Sequence, residues 1–278
     1  MTNPLLKSMK IGFIGAGHMS QTIIKGVLDS KLIRPDQIIV SNRTPGKLIK
    51  VHELYGVQTR QHNEQVVEEC DVVILAMKPQ DLPAAVEVFA NHFEAHQTII
   101  SLSPGINLKS LEKMMPTGRL VRLMPNTPSV IGQGVIGFLT QNQDEVVGDL
   151  MEDLFSRLGV LMEVDTEDQF DALMVSCSSG TGFVFELMMY WQDWIEERGF
   201  SEEDSKTMTI ETFLGASMLA AQSAGIDIEE LQARVTSKKG VTAAGLNSMR
   251  EIEIERALRI SFEKAALRSK ELSLDNRR

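Results

Sequence analysis

Lys10 to Ser20 reads KIGFIGAGHMS, and this stretch joins the pattern of a buried strand to a glycine-rich turn able to open a helix. Ile11, Phe13 and Ile14 form the apolar run. Gly15 permits a tight turn, Gly17 lets the backbone approach a pyrophosphate, and from Met19 a helix begins whose amide end favours anions. The spacing is G-x-G-x-x-S, with Ser20 where a third glycine or alanine is commoner; serine is small enough for close packing of helix on strand. Alone, this pattern also fits an ordinary strand-turn-helix corner, so the rest of the chain has to decide.

Downstream, the units that such a turn requires appear in order. Gln21 to Asp29 continues the helix, Arg34-Pro35-Asp36 breaks it, and Gln37 to Val40 is a second strand, completing a β-α-β unit. That strand ends in Ser41-Asn42-Arg43, at the distance where dinucleotide folds read the adenosine ribose. A carboxylate there would select a 2′-hydroxyl, whereas Ser, Asn and Arg supply donors and positive charge, favouring NADP(H) over NAD(H). Arg43 as a plain loop residue is the competing reading. A helix follows over Lys47 to Leu54, then a short strand at Val57 to Thr59 and a short helix at Val66 to Glu69. Asp71 to Ala76 is a continuous apolar run, as in a parallel strand covered on both faces. It ends at Met77-Lys78-Pro79-Gln80, which places Lys78 and Pro79 at the ligand crevice of an open α/β sheet. Gln97 to Leu102 and Arg119 to Met124 repeat the strand pattern, each followed by a turn, and Gly134 to Leu139 and Val160 to Val164 flank a helix over Asp144 to Leu158. The alternation predicts a Rossmann-type doubly wound α/β sheet.

Beyond Asp165 strand patterns stop and helical ones take over. The expected division is an N-terminal extension over 1–8, a dinucleotide-binding domain over 9–165 and an all-helical domain over 166–278. Phe170 to Glu197 is apolar nearly all round and Gly199 ends it; Ser201 is the predicted N-cap of a helix running to Ala224, with an acidic first turn. In the last helix Ile254, Leu258, Ser261, Ala265 and Leu272 share a face. Helices too apolar to face water need partners, so dimerisation through this domain is expected.

Composition narrows the function classes. The 278 residues are 43% hydrophobic and carry a net charge of −10, which supports a sizeable core and argues against a nucleic-acid partner, since no basic stripe appears. Phe170 to Trp194 is interrupted by serines, Glu186, Gln192 and Asp193, which argues against a membrane span, and no targeting segment precedes the first strand, so a cytoplasmic protein is expected. Cys70 and Cys177 read as reduced structural cysteines. No metal site is expected: His52, His62, His92 and His96 lie in polar segments and read as solvated helix residues, although His92 and His96 have i, i+4 spacing.

With these pieces placed, the chain resembles the pyrroline-5-carboxylate reductases from Lys10 onward. The resemblance rests on FIGAGHM (13–19), VSNR (40–43), AMKPQ (76–80), VRLMPNTP (121–128) and VTSKKGVTAAGL (235–246). It implies NAD(P)H-dependent reduction of a cyclic imine, 1-pyrroline-5-carboxylate, to L-proline. By the resemblance, Gly15, Gly17, His18 and Met19 lie along the pyrophosphate, Ser41, Asn42 and Arg43 at the ribose phosphate, and Asn63 near the adenosine. Ala76 stands with Lys78 and Pro79, which border the nicotinamide half, and Asn126 and Thr127 line the floor. The substrate carboxylate is held by the loop over Ser237 to Thr242, through Ser237 and the backbone of Gly240 and Val241, while the Thr242 hydroxyl meets the ring nitrogen as the catalytic group. The helical domain implies an interlocked homodimer, in the family often assembled into a decamer.

Three departures bear on substrate. The family's TSPGGTT loop is here Thr236-Ser-Lys-Lys-Gly-Val-Thr242, which threatens the amide cradle; Lys238 and Lys239 either attract an anionic substrate or point into solvent. The SGSGPAY-like turn of the long helix lacks its proline here, with Thr181 in that region, so the helix is expected to run straighter. Gly225 stands where many members carry glutamate. Two other readings therefore stay open: reduction of another imine or carbonyl acid, for which Lys206, Lys238 and Lys239 are the lysines nearest the role of the catalytic lysine of β-hydroxyacid dehydrogenases, and a non-catalytic NADP-binding regulator.

Overall fold

The computed structural model describes residues 4–141 and 144–275; Met1 to Asn3 of the expected extension and the side chain of Leu272 lie outside the described residues. The chain divides into two compact units, one of residues 1–179 together with 265–278, the other of residues 180–264.

The first unit is built on eight strands, β1 (Ile11–Ile14), β2 (Ile38–Ser41), β3 (Gln58–Arg60), β4 (Val72–Leu75), β5 (Thr98–Ser101), β6 (Arg119–Met124), β7 (Gly134–Thr140) and β8 (Gly159–Glu163). Their order is β3-β2-β1-β4-β5-β6-β7-β8. Strands β1 to β6 are parallel, β7 turns back antiparallel to β6, and β8 runs parallel with β7. The chain therefore leaves β1 toward β3, then jumps back to β4 on the other side of β1, which makes β1/β4 the switch point where such sheets bind ligands.

Alternation along the strands explains why they are apolar throughout. Ile11, Phe13, Val40, Val72, Ile74 and Ile100 point into one core, and Ile14, Ile39, Val73, Leu75 and Ile99 into the other. The first core is closed by α1 (His18–Asp29), α2 (Pro45–Tyr55) and α6 (Glu145–Phe155). The second is closed by α3 (Asn63–Glu69), α4 (Leu82–Phe89) and α5 (Leu108–Met114). Cys70 is packed in this second core, where burial pushes its thiol up to about 12.

After β8 the chain is helical, and the compact unit built on the sheet takes in the first of these helices. Helix α7 (Glu167–Leu173) and the π-helical segment Met174–Ser179 belong to the first unit, because Phe170 and Met174 pack with Met124 and Leu139. The long helix is not straighter for lacking its proline: the π-helical turn occupies the very stretch where straightening was expected. Arg122 on β6 is almost wholly buried there. Its guanidinium is paired with Glu167 and stacked 4.0 Å over Phe170, and Glu167 also accepts from the Leu108 amide at 2.7 Å. Burial pulls Arg122 below its ordinary pKa, opposed by the two carboxylates Glu167 and Asp171.

The second unit contains α8 (Gly180–Glu196), α9 (Glu202–Gln222), α10 (Ile228–Arg234), α11 (Val241–Glu251) and the first half of α12 (Ile254–Asp275). Ser201 caps α9 through the Asp204 amide, as its sequence predicts. Phe183 packs on Phe262 and Trp191 on Phe213, each pair 5.5 Å apart. Yet Phe185, Met189, Tyr190, Trp194, Leu214 and Met218 all remain exposed.

Candidate active site

At the carboxyl end of β1 the backbone turns so sharply that a side chain is excluded. Gly15 takes φ +116°, and a Cβ there would lie 2.5 Å from the Ala76 carbonyl. The turn is tied on every side: Gly15 N donates to Ser41 O at 2.8 Å, Ala16 N to Asn42 Oδ1 at 3.1 Å, and Ala76 N to Ile14 O at 3.0 Å. Ser20 does more than fit, since its buried hydroxyl donates to Gly15 O at 2.7 Å. Gly17, the N-cap of α1, has no side chain to cap the helix, and a Cβ built on it meets nothing within 4 Å. The space beside Gly17 is therefore open at the positive end of an uncapped helix, an arrangement able to take a phosphate group.

A crevice of about 350 Å³ opens beside this turn, lined by Gly17, His18, Met19, Ala76, Lys78 and Pro79. Six of the expected residues are brought together here. The same crevice is lined by Ser20, Met77, Leu102, Pro104, Met124 and Pro125, which the sequence reading did not assign, although four of them lie within or beside the motifs it used. A larger cavity of about 610 Å³ lies in the helical unit, but its Arg256 and Arg259 are already paired with Glu253 and Glu255. The strand-end crevice is the better candidate because it sits at the switch point of the sheet.

The remaining expected residues divide into those that face outward and those that brace. Arg43 is exposed, with an ion-pair contact to Asp81 at 3.8 Å. Ser41 is fully buried, and its hydroxyl donates to Asn63 Oδ1 at 2.8 Å, so these two side chains fasten β2 to α3. Asn42 holds the glycine turn through its Oδ1. Asn126 is buried, its Oδ1 accepting from Val135 N at 2.9 Å and its Nδ2 donating to Cys177 O at 3.2 Å. Ser178 adds a bond from its hydroxyl to Pro125 O at 3.3 Å, so the π-helical segment is stitched to the Pro-Asn turn behind the crevice. Thr127 opens the following turn and is exposed. His92 and His96 are not on a helical face: His92 ends a 3-10 turn, bonded to Glu68 at 2.7 Å, and His96 lies in the turn before β5. No cluster able to hold a metal occurs among the described residues.

In the helical unit the loop between α10 and α11 keeps a defined turn despite its lysines. Gly240 N donates to Ser237 O at 3.0 Å and Thr236 Oγ1 to Gln232 O at 2.6 Å. Lys239 takes φ +61°, a left-handed conformation suited to glycine. Gly240 packs so tightly that a Cβ would lie 2.2 Å from Ser237 Oγ. It is the N-cap of α11 and offers no side-chain cap, which leaves the amides of Val241 and Thr242 at an exposed helix N-terminus beside Ser237.

These two corners can be set against known proteins. The family model described as pyrroline-5-carboxylate reductase dimerisation matches residues 167–272, and one described as NADP oxidoreductase coenzyme F420-dependent matches residues 10–105. Pyrroline-5-carboxylate reductase 1 of Bacillus subtilis strain 168 is 32% identical over 275 residues, covering 98% of this chain and 92% of that protein. The chain belongs to the pyrroline-5-carboxylate reductase family. The Pseudomonas aeruginosa pyrroline-5-carboxylate reductase is also 32% identical, over 96% of this chain and 98% of its own. Among solved structures, the pyrroline-5-carboxylate reductase of Coxiella burnetii superposes with a TM-score of 0.88 at 30% identity, covering 96% of this chain and 99% of that one. As a member of the pyrroline-5-carboxylate reductase family, the chain has a Rossmann-like first domain followed by a helical dimerisation domain, and it is an oxidoreductase that forms a homo-oligomer.

Proposed function

We propose that this chain reduces 1-pyrroline-5-carboxylate to L-proline with NADPH. The observation that supports the reading is the turn over 236–242: Lys239 takes a left-handed conformation and Gly240 sits against Ser237, so the loop forms a defined turn with its two lysines in place. The amides of Val241 and Thr242 and the Ser237 hydroxyl are the groups that bind the substrate carboxylate.

The open cradle at Gly17 and the uncapped start of α1 fit the pyrophosphate of a dinucleotide, and exposed Arg43 fits a 2′-phosphate. Gly15, Gly17, His18 and Met19 border the pyrophosphate, and Ala76, Lys78 and Pro79 the crevice toward the nicotinamide. Ser41, Asn42, Asn63 and Asn126 hold these walls in place. When bound, NADPH supplies a hydride from its dihydronicotinamide ring. The residues of the crevice orient that ring and keep water from it. The Thr242 hydroxyl accepts a hydrogen bond from the protonated imine nitrogen, favouring the iminium as the electrophile. As hydride adds to the imine carbon, the C=N π pair moves to nitrogen, which keeps its proton and becomes the ring amine of proline. No strong acid or base is required by this step.

The helix Glu167–Glu196 is long and apolar enough to cross a membrane, with a mean hydropathy of 1.3 and 22% of its window buried. We read its exposed aromatic face as the surface covered by a second copy of the chain, giving a homodimer in the cytoplasm. The test is NADPH oxidation with 1-pyrroline-5-carboxylate in the wild type and in Thr242→Ala, where kcat falls on the order of 10- to 100-fold while NADPH affinity holds. Tight NADPH binding without turnover in the wild type would instead favour the regulatory reading, which the added lysines of the loop suggest.

A further inference from the structure

Arg43 and Asp81 come from opposite sides of β1. Arg43 follows β2 and Asp81 ends the 3-10 turn Pro79–Asp81 after β4, and both strands are direct neighbours of β1. Their contact at 3.8 Å therefore spans the end of β1, over the glycine turn. Asp81 stands at the N-cap position of α4 yet makes no capping bond with its side chain; its carboxylate reaches Arg43 instead. A helix N-terminus ordinarily rewards a capping aspartate, so this orientation leaves the backbone without that benefit.

We propose that Asp81 is a selectivity-tuning residue for the cofactor, opposing the 2′-phosphate that distinguishes NADPH from NADH. The proposal rests on the assignment of Arg43 to that phosphate. At 3.8 Å the Asp81 carboxylate makes no hydrogen bond to Arg43, but its charge offsets part of the guanidinium's positive field where a phosphate would arrive. A 2′-phosphate close enough to bond Arg43 also lies within a Debye length of the Asp81 charge, and the two anions repel. The pyrophosphate is common to both cofactors, so repulsion there does not distinguish them; NADH carries only a hydroxyl at the 2′ position and escapes the additional repulsion. Asp81 thus lowers the preference that Arg43 creates, and leaves a residual competence for NADH.

Binding of NADPH and NADH to the full chain, followed by quenching of intrinsic fluorescence, tests this in Asp81→Asn, Asp81→Glu, Arg43→Ala and the Arg43→Ala/Asp81→Asn double variant. Asp81→Asn is expected to tighten NADPH about three- to tenfold at low salt and to change NADH less than about twofold, with the gain shrinking as salt rises. Asp81→Glu, which keeps the charge, should stay close to wild type, and the Asp81→Asn gain should be smaller in the Arg43→Ala background. Unchanged melting of Asp81→Asn establishes that the fold is intact. A selective loss of NADPH in Arg43→Ala beside a flat, weaker or cofactor-independent response in Asp81→Asn overturns the Asp81 inference alone. Equal losses of NADPH and NADH in Arg43→Ala overturn the assignment of Arg43, and the inference with it.

Discussion

Two helices open on a bare glycine N-cap, Gly17 before α1 and Gly240 before α11, and both corners are proposed as anion sites. The first corner is fixed by its surroundings: strands on both sides of β1, the Asn42 side chain and the Ser20 hydroxyl all bond to it. The second is fixed mainly by its own few residues, on helices whose outer faces are exposed. A cradle set in a sheet is rigid before any ligand arrives, while a cradle on a helical loop depends on local turn geometry. The difference also explains the tolerance to sequence change. The glycine turn departs from its pattern only by Ser20, and the loop has exchanged two residues for lysine without losing its turn.

The largest effect that would sharpen this contrast is expected from Gly15→Ala. The new Cβ meets a backbone carbonyl that cannot move, at a φ that alanine resists, so about 2–4 kcal/mol of stability and at least on the order of 100-fold in NADPH affinity should be lost. Calorimetry and titration check both numbers. Gly240→Ala should be milder, because the atom in the way is a hydroxyl able to rotate. We expect about a 10-fold rise in KM for 1-pyrroline-5-carboxylate, with NADPH affinity within about twofold of wild type. A loss of NADPH binding as large as that of Gly15→Ala would break the comparison. Smaller again is Lys239→Gly, which relieves the left-handed lysine and should gain about 0.5–1 kcal/mol in denaturant melts, since the strain removed exceeds the added chain entropy.

The smallest effect concerns the charge cluster where α7 packs against β6. Burial raises the pKa of Asp171 in the folded chain, with the Arg122 charge opposing the shift. Its contribution to stability is therefore present below the ordinary carboxylate range and is lost as pH rises through the raised value. Wild type minus Asp171→Asn should show a melting difference that favours wild type most in acid and declines toward neutral pH, by well under about 1 kcal/mol because the group is half-exposed. A difference that grows with pH would reverse the sign.

Periodicity and turn residues made the sheet legible: short runs rich in Ile, Val and Leu, such as Ile38-Ile39-Val40 and Val72–Leu75, place the strands to within a residue or so of their bounds. What stayed hidden were partnerships across long separations. Arg122 sits in a strand pattern like any surface residue, and only the arrival of Glu167 and Phe170 makes its burial tolerable. Ser41 and Asn63 carry the right chemistry to touch a cofactor, and nothing local reveals that they bond each other. Compactness cuts the chain elsewhere than helical periodicity does: the family model of the helical domain starts at residue 167, while the apolar side of α7 packs on the sheet, so the compact unit around the sheet runs to Ser179. The lack of a proline points to a straighter helix, whereas the backbone forms a π-helical turn over Met174–Ser179 without one.

The two cysteines differ in a way that has practical value. Cys70, with its thiol held at about 12, presents essentially no thiolate near neutral pH, whereas Cys177 lies half-buried in the π-helical segment whose backbone is stitched to the turn behind the crevice. A maleimide or fluorinated thiol tag should therefore enter at one position per chain. The label would sit next to the stitching, giving a built-in spectroscopic reporter of whatever occupies the crevice, with no cysteine to engineer in or out.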